Sequence, residues 1–202
     1  MITKPAYKIA RRLGAPVFEK TQTQKFALRA ERKAKSKKQG KPKSEYGIQQ
    51  NEKQKTRAVY GISEKQFTNY VKSAVEKKAS KAVATIFQSL ETRLDNVVFR
   101  MGLAPTRRGA RQMVSHGHVV VNNRKVTVPS YTVSLGDTVA VREGSAGSTL
   151  FASFEDRFKQ MTAPTWISVD VAKKQAEITG TPTYVPGEML FDLNAVVEFY
   201  SR

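Results

Sequence analysis

Apolar residues recur at a helical period through the first half of the chain and at a strand period after it. Phe67, Tyr70, Val71, Ala74 and Val75 fall at i, i+3, i+4, i+7 and i+8, and Ser63 with Gln66 has the spacing of a capping box. Val83, Ile86, Phe87 and Leu90 predict a second helix beginning near Ser80. Leu94, Val97, Val98 and Met101 predict a third, short one ending at Gly102, a residue suited to the left-handed position after a helix. Ahead of these, Tyr46 to Tyr60 reads as a helix, and so does Thr21 to Lys35. A succession of short helices predicts a small helical domain.

The period then changes. Pro105 to Ser115 reads as a short helix, and His118–Val121 and Lys125–Val128 read as strands joined by a turn at Asn122-Asn123, because Asn tolerates left-handed backbone. Thr138–Val141 follows the Leu135-Gly136-Asp137 turn as a further strand. Beyond a Gly/Ser linker at 144–149, Phe151, Phe154, Phe158 and Met161 mark a short helix. Trp166–Val169 and Ala176–Ile178 read as strands, and Asp192–Tyr200 as a closing helix. The fold class is α+β.

Charge adds function to this outline. The chain has 202 residues and a net charge of +18, spread unevenly: +13 over residues 1–60, +7 over 61–144 and −2 over 145–202. A surface charged only for solubility interleaves both signs. This gradient instead predicts a cationic arm and central module facing a polyanion. Nucleic acid fits better than an anionic membrane, since the basic arm shows no long helix with a bulky apolar face. The cluster ERKAKSKKQGKPK at 31–43 is too polar to fold alone, and its later part, through Gly40 and Pro42, is expected to be extended or disordered without a partner. With no apolar run of about 20 residues and no secretory-type N-terminus, the expected location is the cytoplasm, although a basic organellar leader has a similar composition.

Within the predicted helix 105–115, Arg107, Arg108 and Arg111 fall inside about 100° of one another, and Ala110, Met113 and Val114 occupy much of the rest. One face packs while the other offers guanidinium forks, which match phosphate oxygens. Between Thr106 and Glu143 only Asp137 and Glu143 are acidic, so the three arginines have no compensating acid nearby in sequence. Arg124 and Lys125 at the hairpin turn add a second point of contact. His116 and His118 alternate as on a strand, but no Cys, Asp or Glu close in sequence completes a metal site, and no metal or cofactor is expected. Arg93-Leu94-Asp95 resembles the short motif in which the Asp of pseudouridine synthases is the nucleophile. Three residues are weak support, and an ion pair, or a cap on a helix beginning at Asp95, accounts for them as well. With no phosphate-binding Gly loop and no nucleophile–base pair either, no enzyme is expected.

The segments EKQKTRAVYGISEKQFTNYV (52–71), LETRLDNVVFRMGLAPTRRGARQMVSHGHVVVNNRKVTVPSYTVSLGDTVAVRE (90–143), PTWISVD (164–170) and VVEFYSR (196–202) resemble the bacterial-type small ribosomal subunit protein four family, in order and with its spacing. The resemblance covers residues 45–202. It implies a helical domain of residues 45–93 completed by 183–202, with the terminal helix packing on the helices at 63–101. An α/β-hairpin RNA-binding module of alpha-L type is inserted, over 94–182, and a basic, partly extended arm covers 1–44. It further implies binding to a junction in the 5′ domain of small-subunit ribosomal RNA early in assembly. The expected neighbours are other small-subunit proteins, protein five above all, and mRNA where it enters the subunit. RNA-contacting positions would be Lys53, Lys55, Arg57, Arg107, Arg111, Gln112, His116, Asn122 and Arg124; Arg93, Arg100, Arg108, His118 and Lys125 join them as candidates. Many members carry cysteines near the N-terminus, in some a zinc site. This chain has none, which leaves RNA contact to order residues 1–44. A stand-alone rescue or chaperone factor sharing the module is the alternative, but such factors generally lack the flanking helical domain.

Overall fold

The computed structural model describes residues 5–36, 44–77 and 81–201. The later part of the basic cluster, at 37–43, and Ser80 lie outside the described residues. Two compact units divide the chain: residues 1–86 together with 184–202, and residues 87–183.

The first unit is helical. α1 (Ala6–Leu13) stops at Gly14, whose φ of +73° is a left-handed terminus. α2 (Gln24–Ser36) begins three residues later than expected, because Thr21 belongs to a separate short turn in which its hydroxyl donates to the Phe18 carbonyl at 2.7 Å. α3 (Glu45–Tyr60) opens on Ser44, whose Oγ accepts from the Gly47 amide, and closes at Gly61 with φ +63°. α4 (Glu64–Lys77) is capped by Ser63, which accepts from the Gln66 amide at 3.3 Å. α5 (Ala82–Glu91) carries the division between the units. The closing helix, called α9 below (Leu193–Tyr200), starts from Asp192, whose carboxylate accepts from the Asn194 amide.

The helices at 63–101 are not the main support of this terminal helix. It lies chiefly on α3, where Gln49 donates to Glu198 at 3.0 Å and the Tyr46 and Phe199 rings lie 5.4 Å apart. α4 adds Thr68, 3.0 Å from the Tyr200 hydroxyl. The arm also differs from expectation. Ala10, Leu13, Ala15 and Val17 bury themselves with Ala58 of α3, and Phe26 of α2 packs against the same cluster. Burial of Leu13 and Val17, each worth roughly 1.5–3 kcal/mol, holds this part of the arm against α3.

The second unit mixes helix and sheet. α6 (Leu94–Arg100) and α7 (Arg107–Ser115) pack with α8 (Phe154–Gln160) on a five-stranded antiparallel sheet. Its strands are β1 (Val119–Val121), β2 (Arg124–Lys125), β3 (Thr138–Val141), β4 (Ile167–Asp170) and β5 (Gln175–Ile178), in the order β2-β1-β3-β5-β4. The core holds Leu94, Val97, Val98, Met101, Ala110, Met113 and Val114 from the helices, and Val119, Val121, Val139 and Ile178 from the sheet. Asn122 and Asn123, at φ +48° and +63°, form a two-residue turn that pairs Val121 with Arg124.

Two predicted boundaries shift for one reason. The strand expected over Lys125–Val128 ends at Lys125, and the chain beyond it serves the start of α6 instead. The Leu94 amide donates to the Tyr131 carbonyl at 2.8 Å and the Asp95 amide to Pro129 at 3.1 Å. These bonds satisfy amides at a helix start that would otherwise lack partners. The helix accordingly begins at Leu94 rather than Asp95, and the Arg93 side chain makes no cap. Among the described residues no helix is long and apolar enough to cross a membrane.

Candidate nucleic-acid interface

Helix α7 sets the interface. Thr106 accepts from the Gly109 amide at 3.0 Å and fixes the start of the helix, while Ala110, Met113 and Val114 sink into the core. The opposite face therefore has to carry Arg107, Arg108, Arg111 and Gln112. Gly117, at φ +73°, ends the helix and turns the chain into β1. A Cβ at Gly117 would overlap the Lys125 side chain, so glycine there lets the β2 lysine lie across the helix end.

The three arginines do not behave alike. Arg108 is exposed and joins no salt bridge among the described residues. Arg111 is half-buried; its Nε and Nη2 both reach one oxygen of Asp95 at 2.8 Å. Arg107 donates from Nε to the Asn96 Oδ1 at 2.8 Å and lies over the Phe99 ring, 4.4 Å from its centre. The acid absent from the surrounding sequence thus arrives from α6. Asp95 is 2% exposed and is held on its other side by Arg93, through bonds of 3.0 and 2.8 Å. Asn96 donates to the Glu91 carboxylate and carbonyl, both at 2.9 Å, and Glu91 accepts two bonds from Arg100.

This network corrects part of the candidate set. Arg93, 2% exposed, is a buried partner of Asp95 and presents no surface to a phosphate. Lys53 is likewise buried: its ammonium lies 2.7 Å from Glu64 and 4.5 Å from the centre of the Phe199 ring. Burial pushes the Glu64 carboxyl up, but the bond and charge of Lys53, helped by Arg57 and Gln54, hold it below the usual carboxylate range. Lys55 pairs with Glu52 at 2.6 Å, and Arg57 reaches Gln54 and Glu64. All three α3 cations are half-buried or more and spoken for within the helical unit.

In the module, Gln112, His116, Asn122, Arg124 and Lys125 are exposed with Arg108. Asn122 uses its side chain internally, donating to Asp137 at 2.7 Å and accepting from the Thr138 amide at 2.9 Å. His118 is half-buried, 3.0 Å from the Ser145 hydroxyl and edge-on to Phe151. Among the described residues no three His, Cys, Asp or Glu side chains are grouped so that they could hold a metal ion. What remains outward is a cationic surface built from one helix face and one hairpin: Arg108, Gln112, His116, Arg124 and Lys125.

The Arg93–Asp95 ion pair weighed from the sequence is present at 2.8 Å. Sequence reasoning passed over two features. One is the pair Glu91 and Asn96, whose signal was an acid and an amide flanking the RLD run. The other is α1, where Lys8 and Arg12 stand exposed and Ala10 and Leu13 are buried. Its signal was Ile9, Ala10 and Leu13 between Pro5 and Gly14, the punctuation of a short helix.

An α/β module with a cationic helix face and hairpin, together with a helical unit completed by residues 184–202, defines the class: an RNA-binding protein of ribosomal type. Residues 1–91 match the family described as ribosomal protein S4/S9 N-terminal domain, and residues 92–139 match the S4 domain. The small ribosomal subunit protein uS4 of Shewanella loihica is 39% identical over 98% of this chain and 97% of its own length. Those of Alkaliphilus metalliredigens (uS4A) and Syntrophomonas wolfei are each 43% identical over 79% of this chain and 76% of their own. The chain belongs to the small ribosomal subunit protein uS4 family. These relatives give no support to a stand-alone rescue or chaperone factor.

Proposed function

We propose that this protein is a structural constituent of the small ribosomal subunit. In this reading it binds a junction in the 5′ domain of the ribosomal RNA early in assembly, in the cytoplasm. The observation that carries the reading is the outward set Arg108 on α7 and Arg124 and Lys125 on the hairpin of the same unit, unmatched by any salt bridge among the described residues. Structured RNA is recognised largely by shape and phosphate geometry, which suits cations fixed on a helix and a hairpin. No catalytic step is proposed. The Asp95 carboxylate that invites comparison with a nucleophile is buried and hydrogen-bonded by Arg93 and Arg111.

Protein five and incoming mRNA are the proposed neighbours. A groove of about 480 Å³ on the helical unit, lined by Glu45, Gln49 and Glu198 among others, supports a basic protein partner. It carries two carboxylates, Glu45 and Glu198, on a chain of net charge +18.

Sucrose-gradient sedimentation of tagged protein, with crosslinked RNA sequenced, tests the reading. Co-sedimentation with small subunits at high salt and crosslinks in the 5′ domain are expected. Recovery mainly on large subunits or transfer RNA would refute it.

A further inference from the structure

On the reading that the module binds ribosomal RNA, we propose a division of labour among its arginines. Arg111 and Arg107 carry discrimination for folded RNA, with Asp95 and Asn96 as their positioning residues, whereas Arg108 and the hairpin cations carry affinity without discrimination. The argument is one of preorganisation. An exposed arginine such as Arg108 has many rotamers and meets any phosphate equally well, so its contribution is mostly counterion release. Arg111 cannot wander, because Asp95 takes its Nε and Nη2 at 2.8 Å and is itself pinned by Arg93. Arg107 is fixed as firmly, with Nε on Asn96 and its guanidinium plane over Phe99.

A guanidinium held at one place can favour phosphates at one spacing, and the entropy of holding it is lost on folding rather than on binding. Both acceptors sit on the buried first turn of α6, so the two forks keep a constant separation. Asp95 touches no RNA in this scheme and acts through Arg111.

The test compares binding of a transcribed small-subunit 5′-domain RNA with that of a random-sequence RNA of equal length, across a salt series. Arg111→Lys keeps the charge but removes the fork. It should weaken binding to the 5′-domain RNA by roughly tenfold or more while leaving random RNA and the salt slope unchanged. Arg108→Lys should shift binding to both RNAs by the same small factor and leave the ratio between them unaltered. Asp95→Asn should lose the same discrimination, and adding Arg111→Lys to it should cost little more, a non-additivity that a general loosening of the fold would not produce. Should Asp95→Asn fail to fold, Arg111→Lys decides alone, since its side chain is 32% exposed. Equal behaviour of Arg111→Lys and Arg108→Lys would overturn the inference and leave the RNA-binding reading standing. A wild-type protein that fails to discriminate between the two RNAs would overturn both.

Discussion

The pairs Lys53–Glu64 in the helical unit and Arg111–Asp95 in the module are mirror images in burial. In the first the cation is sunk, its side chain 11% exposed, and the acid lies 43% exposed. In the second the acid is sunk at 3% and the cation stands 32% exposed. The buried member of each pair shows what the pair is for. Lys53 joins α3, α4 and the Phe199 ring of α9, so it holds the closing helix. Asp95 ties α6 to α7 and leaves a basic group at the surface. A count of lysines and arginines cannot separate these uses; the side on which the charge is buried can.

The largest effect should come from breaking the second pair at its buried end. Asp95→Ala leaves Arg93 charged, buried and without its carboxylate, which costs about 3–5 kcal/mol. Urea denaturation should show the unfolding free energy falling by that amount, with a correspondingly lower midpoint, and an unchanged midpoint would mean the network is ornamental. The first pair should be more forgiving. Lys53→Met keeps the packing volume, loses the ammonium over Phe199, and leaves behind an acid that water can reach, for a cost of about 1–2 kcal/mol. A pH series sharpens the result. Glu64 is held below its ordinary value in the folded protein, so its contribution is complete above the unfolded carboxylate value and is lost as pH falls through the folded one. In Lys53→Met that acid-side loss should shrink, as thermal melts across acidic pH would show.

The smallest effect on stability belongs to cations outside any pair. Arg124→Gln with Lys125→Gln should move stability by no more than about 0.5 kcal/mol. The salt slope of RNA binding should nevertheless fall by about 0.7–0.9 for each phosphate contact removed. Unaltered slopes in filter binding would place the RNA surface elsewhere on the chain.

Much of the architecture was legible because hydrophobic period reports local structure. The apolar faces of α4 and α7, the Asn122-Asn123 turn and the β3 strand depend on residues within a few positions of one another. Legibility failed where the deciding partner was distant. The strand after the hairpin was cut short by α6, whose amides took the carbonyls of Pro129 and Tyr131 some 35 residues on, and no periodicity encodes that competition. The arginines of α7 looked uncompensated because Asp95 lies 16 residues before Arg111 and meets it only once α6 and α7 pack. Lys53 was a candidate by family resemblance, and its burial against Phe199 could not be read locally because that partner stands 146 residues further on. For α1 the signal was present but small, two buried residues in eight set among basic neighbours.

The helical unit is assembled from two stretches, residues 1–86 and 184–202, with the whole module between them. Synthesis runs from the N-terminus, so α3 and α4 leave the ribosome long before α9 exists, while every residue of the module emerges in one continuous run. Phe191, Leu193 and Val196, buried in the finished unit, are added only after the whole module. A newly made copy therefore has its RNA-reading module available before its helical unit can close, and residues 184–202 time that closure.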